Sequence, residues 1–77
     1  MEQMKRRGLR METNREEFAL ELKTWRLRKN LTQAQAGARF GVSRYTIIRA
    51  ERAQELSWEM AYRLFALLSK ELKDEEP

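Results

Sequence analysis

Helix start and stop signals crowd into the middle of this chain, and they constrain its fold more than any other feature. Thr32, with Gln35 three residues on, has the form of a capping box, in which each side chain bonds the other's backbone N–H. Gly41 then interrupts the run as a residue free to take positive φ in a tight turn. Ser43 is placed to cap whatever follows. The spacing predicts a helix from Gln33 to about Phe40, a three-residue turn, and a second helix from Arg44 to about Arg52. The inner face of the first is small (Ala36, Gly37, then Phe40), and Gly37 lets the two helices cross closely. Val42 anchors the turn, and Ile47 and Ala50 point inward from the second helix.

The flanking segments carry the same kind of punctuation. Asn14 with Glu17 has the form of a second capping box. Phe18, Leu22 and Trp25 follow at spacings of four and three, one apolar stripe of a helix. That helix should stop at Asn30, which tolerates the left-handed conformation, with Arg28 and Lys29 suiting its negative end. After a loop at Gln54 to Leu56, Ser57 caps a further helix. It is expected to bury Trp58, Ala61, Leu64, Phe65 and Leu68 and to fade near Leu72. The expected fold class is all-α, a compact arrangement of four to five helices with Trp25, Phe40 and Trp58 filling the core. Residues 1–12 read as a flexible basic arm, 13–72 as the domain, and 73–77 as a frayed acidic tail.

Seventy-seven residues make one domain, one that buries only about 60% of the surface its unfolded chain exposes. There is no Cys and no His, which excludes a disulfide framework, a thiolate or imidazole metal site and His-based acid–base catalysis. Glu16–Glu17 and Glu75–Glu76 are neighbours along the chain rather than convergent acids, and no nucleophile–base pair is present. Neither an enzyme, a cofactor nor a bound metal is expected. No apolar run reaches the roughly 20 residues that span a bilayer, and no apolar stretch follows the basic start. The expectation is a cytoplasmic protein with no membrane contact. Charge is distributed in blocks. Lys23 to Arg52 holds eight basic residues against the single acid Glu51, a net +7, while Ala53 to Pro77 carries −3. A concentration of positive charge this strong points to a nucleic-acid partner.

From Leu31 onward the residues fall into a known register. The chain resembles the Cro/CI (lambda repressor-like) helix-turn-helix family, on the strength of Leu31-Thr32-Gln33, Gly41-Val42-Ser43, Ile47 and Glu51, with Arg26 five residues before Leu31. The resemblance covers about Phe18 to Leu68. It departs at Gly37, where Ala is common, at Ala36 and Ala50, where larger apolar residues are usual, and at Ala53, which replaces a frequent Gly. The family's fifth helix has no counterpart here.

The resemblance implies a sequence-specific regulator of transcription that binds double-stranded DNA as a homodimer, a prokaryotic or phage-type repressor on a two-fold symmetric operator. An antitoxin-like protein that binds a partner protein, or an RNA-binding use of the same basic face, are the alternatives. Carried over by position, it gives base contacts to Arg44, Tyr45, Ile48 and Arg49. Phosphate contacts fall to Thr32, Gln33, Arg39, Ser43, Thr46 and Arg52, and Arg26 with Glu51 becomes a structural ion pair. Helical spacing alone puts Tyr45, Ile48 and Arg49 on one face with Arg44 at its edge, although Ile48 is equally suited to the core. Met60, Tyr62, Leu67 and Leu72 are apolar positions beyond the expected core, a candidate dimer surface. The arm (Lys5, Arg6, Arg7, Arg10) is suited to phosphates or the minor groove.

One prediction follows from the charge block. With about five of its basic residues on phosphates, log K for DNA against log salt should slope at about −4 to −5. Titration over a series of salt concentrations checks this; a flat dependence with tight binding at high salt would point to a protein partner instead.

Overall fold

The computed structural model describes residues 15–75; the expected Asn14 cap and the basic arm lie outside them. Four helices run in order: α1 (Arg15–Arg28), α2 (Gln33–Phe40), α3 (Arg44–Glu51) and α4 (Trp58–Asp74). No strand occurs among the described residues.

The helix boundaries are set by local chemistry. The α2 capping box is complete: the Gln35 N–H donates to Thr32 Oγ1 at 3.0 Å, and the Thr32 N–H donates to Gln35 Oε1 at 2.9 Å. Ser43 Oγ accepts from the Thr46 N–H, and Ser57 Oγ from the Met60 N–H. The ends of α1, α2 and α3 share one device. A left-handed residue (Asn30 at φ 62°, Gly41 at 72°, Ala53 at 58°) turns the chain back. The N–H of the next residue then bonds a carbonyl five positions earlier: Leu31 to Arg26, Val42 to Gly37, Gln54 to Arg49. This is the Schellman arrangement, which satisfies carbonyls the helix leaves open. Asn tolerates the conformation and Gly is free of it, whereas at Ala53 a Cβ makes it cost about 1–2 kcal/mol.

The core gathers one stripe from each helix. Trp25 is fully buried and stacks on Phe40, ring centroids 5.1 Å apart. Leu22, Ile47, Leu64 and Leu68 close round them, with Phe18, Ala36 and Ala50. Phe65 lies at the margin, half-buried, its ring 6.1 Å from that of Phe18.

Three expectations about α4 are corrected. Trp58 is not a core anchor: it is 70% exposed and lies parallel to Tyr62, centroids 5.4 Å apart. Successive helical residues rotate by about 100°, which puts Trp58 a quarter-turn away from the buried Leu64 and Leu68, and Trp25 already fills the centre. Leu67 and Leu72 are packed against the core rather than surplus to it. Nor does the helix fade near Leu72. It continues to Asp74, and Glu75 forms ion pairs with Arg28 and with Lys29 (3.3 Å), tying the end of α4 to the end of α1. Partial desolvation pushes the Glu75 carboxyl up, but hydrogen bonds from Arg28 and Lys29 outweigh it and hold it below its ordinary value.

The crossing of α2 and α3 leaves no room at Gly37. A Cβ there would sit 2.7 Å from the Val42 carbonyl oxygen. Replacing Gly by Ala inside a helix gains about 1 kcal/mol in propensity, but overpacking against backbone costs about 1–3 kcal/mol. Gly37→Ala should therefore melt several degrees below the parent, as thermal denaturation followed by circular dichroism would record. An equal or higher melting temperature would mean that the turn carbonyl yields.

Candidate nucleic-acid interface

The outer face of α3 is built by subtraction. Ile47 and Ala50 are buried, so the residues about half a turn round from them face outward. Tyr45 is 64% exposed, Arg49 and Arg52 are exposed beside it, and Arg44 stands exposed at the N-terminal edge. Ile48 and Thr46 are half-buried at the margins, so Ile48 stands between the outer face and the core. The Arg44 guanidinium lies 5.1 Å from the centroid of the Tyr45 ring. Arg49 Nη2 donates to the Glu55 carbonyl at 2.9 Å. Ser43 Oγ and Thr46 Oγ1 are 3.1 Å apart at the start of the helix.

Tertiary structure sorts the basic block that the sequence presents as continuous. Arg26 pairs with Glu51, Arg28 and Lys29 with Glu75, and Arg39 with Glu71. Among the described residues Lys23, Arg44, Arg49 and Arg52 have no acidic partner; the three arginines lie together on α3 or at its C-cap, and Lys23 lies on α1. Glu71 and Glu75, at the end of α4, engage three cations of the block, Arg28, Lys29 and Arg39, and leave the arginines of α3 unpaired.

The remaining expected contacts are placed differently from one another. Thr32 and Gln33 stand at the start of α2, and Gln33 is half-buried with its Nε2 donating to Glu51 Oε1 at 3.2 Å. Arg39 is turned toward α4. It donates to both Glu71 oxygens, at 3.0 and 3.1 Å, and its guanidinium lies 5.7 Å from the Trp25 ring centroid. Its hydrogen bond to Glu71, reinforced by that carboxylate's charge, raises the guanidinium above its ordinary value. Sequence reasoning missed both ties. Arg39 and Glu71 are 32 residues apart, and no periodicity connects positions on different helices.

Behind the face, Arg26 and Glu51 form the pair expected of them. Nε donates to Oε2 at 2.6 Å and Nη2 to Oε1 at 3.0 Å, with the two side chains only 11% and 5% exposed. The third guanidinium donor, Nη1, bonds the Leu31 carbonyl at 2.9 Å.

Among the described residues no group of three or more potential ligands is placed to hold a metal, and no helix is long and apolar enough to cross a membrane. Comparison of the chain with models of known families, with curated proteins and with solved structures found no match.

Loss of either member of the Arg26–Glu51 pair strands a nearly buried charge, at a cost of roughly 3–5 kcal/mol. Glu51→Gln should therefore unfold at much lower denaturant than the parent, and its loss should exceed that of any single change on the outer face of α3. A Glu51→Gln protein with the parent's unfolding midpoint would show that the pair contributes nothing.

Proposed function

We propose that this chain is a sequence-specific double-stranded DNA-binding regulator, a repressor that lays α3 in the major groove. In this reading α2, the turn at Gly41 and α3 form a helix-turn-helix within a lambda repressor-like domain. The protein works by binding rather than catalysis, needs no cofactor, and acts in the cytoplasm as a homodimer. The observation that carries the proposal is the charge left on α3. Arg44, Arg49 and Arg52 cluster there, exposed and without acidic partners among the described residues, while Arg26, Arg28, Lys29 and Arg39 of the same block are paired and Lys23 stands alone on α1.

Two further observations support it. The largely buried Arg26–Glu51 pair joins the two residues that the resemblance relates. Ala53 adopts φ 58° at the position where the resemblance expects glycine, so the backbone keeps the conformation although the residue has changed.

Roles follow from position. Ser43 caps α3, so Arg44 and Tyr45 occupy its first turn, the part that enters the groove deepest in this motif. Arg49 stands one turn on, about 6 Å along the axis, within reach of a neighbouring base pair. A guanidinium matches the O6 and N7 acceptors of guanine, and Ile48 is suited to a thymine methyl. Ser43, Thr46, Thr32 and Arg52 flank this face as phosphate contacts. Gln33 offers the N-terminal end of α2 and the second N–H of its side-chain amide, the first being donated to Glu51. Arg39 reaches a phosphate only by leaving Glu71.

Arg44→Ala and Arg49→Ala should each lose roughly 1–3 kcal/mol on the preferred site and relax discrimination at one guanine. Arg52→Ala should weaken binding to every sequence alike. The measurement is affinity of each variant for a site selected from random DNA and for its single-base variants. Equal losses on all sequences for Arg44→Ala and Arg49→Ala would make both phosphate clamps and remove the base-reading role.

A further inference from the structure

The side of α4 that faces away from α1 and α2 is apolar where a solvated helix would be charged. Trp58, Tyr62, Ala66 and Ser69 follow at spacings of four, four and three, one continuous stripe. All four are exposed, and the two aromatic rings stack on each other within it. Glu59 and Lys70 border this stripe on the same flank, both exposed. Arg63, near that flank too, reaches toward the α2–α3 turn: its Nη1 comes within 3.4 Å of where a Gly41 Cβ would stand.

We propose that a second copy of this chain covers the stripe, α4 packing antiparallel on α4 about a two-fold axis at the level of Leu64. The inference gives the homodimer of the proposed function its contact surface and rests on that reading for its purpose. Two complementarities select this occupant. In an antiparallel pair centred on Leu64, Tyr62 of one copy meets Ala66 of the other, and Trp58 comes within one residue, about 1.5 Å, of the level of Ser69, so each large ring faces a small residue. The same register brings Glu59 within one residue of the level of the partner's Lys70, and antiparallel packing puts equal flanks together, so two opposite-charge pairs border the contact. A two-fold interface uses the same patch on both sides, and this patch is self-complementary in both size and charge. Trp and Tyr are the side chains that most often dominate such contacts.

The interface is small. Each aromatic side chain buries about 150–250 Å², which puts the total near the low end, about 1,200 Å², of specific interfaces. The copies should therefore exchange at micromolar concentration and pair more firmly when DNA holds both.

Sedimentation of the full chain from micromolar to millimolar concentration tests this. The parent should dimerise in that range. Ala66→Arg, exposed and compatible with a helix, should retain its circular dichroism and shift the dimerisation midpoint at least about tenfold upward by placing like charges at the axis. Glu59→Lys alone should weaken the dimer, and Glu59→Lys combined with Lys70→Glu should restore it, because the pair is rebuilt with signs exchanged. A monomeric parent overturns the proposal. So does an Ala66→Arg chain that still dimerises like the parent, or a doubly exchanged chain no better than the single one. Affinity of the same chains for single-base site variants separates this surface from α3. Discrimination kept in a chain that never dimerises sinks the interface alone; a dimer without discrimination sinks the reading of bases alone.

Discussion

The ion pair between Arg26 and Glu51 is the joint on which the arrangement of helices depends. One guanidinium, at the end of α1, holds the Glu51 carboxylate at the end of α3 and the Leu31 carbonyl in the chain leading to α2. The carboxylate in turn accepts from Gln33 at the start of α2. Three helices and a loop thus meet at two charges. Burying charge is unfavourable unless geometry and additional hydrogen bonds compensate, and here the pair is bidentate with its neighbours also engaged. The orientation of α3 relative to α2 is therefore set at its C-terminal end by this contact and at its N-terminal end by the three-residue turn. Both ends of a helix of eight residues are held, which leaves its outer face as a rigid platform.

That rigidity is reached in a chain whose core is short of bulk. Ala36 and Ala50 stand where α2 and α3 face inward, and Gly37 brings α2 against the backbone of the turn. Close approach substitutes for side-chain volume: small residues let the backbones draw together, and Trp25 with Phe40 supplies one large stacked centre. Trp58 lies outside because the first position of α4 turns it to the surface, where it borders an open pocket beside Phe18, Ala50 and Leu56.

What was legible in the sequence is what depends on neighbours along the chain. Thr32, Ser43 and Ser57 as caps, Gly41 and Asn30 as left-handed stops, and the stripe of Phe18, Leu22 and Trp25 are all settled within four or five residues. The Arg26–Glu51 pair, though 25 residues apart, was legible only through a resemblance that already encodes a tertiary contact. What was not legible is what depends on which helices meet. Arg39 with Glu71, the grip of Arg28 and Lys29 on Glu75, and the outward turn of Trp58 all require knowing where α4 lies. An acidic end that reads as a solvated tail becomes a helix terminus with two cations beside it, Arg28 at the end of α1 and Lys29 just past it.

The same distinction separates the arginines by what each would give up in the proposed contact with DNA. Arg44 rests over an exposed tyrosine ring, and Arg49 holds a single exposed carbonyl. An exposed cation–π contact contributes only about 0.5–1 kcal/mol, and the Arg49 bond is a single one to an exposed acceptor. A bidentate contact to guanine offers two such bonds, so either side chain can exchange its present partner and is meanwhile restrained close to the helix. Arg39 is different. It would surrender a bidentate carboxylate together with its place over Trp25, and it would leave Glu71 facing the polyanion. A phosphate replaces a carboxylate of the same charge there, with little gained. The fold therefore favours α3 as the surface that exchanges its partners, while Arg39 remains part of the scaffold that holds α2 against α4.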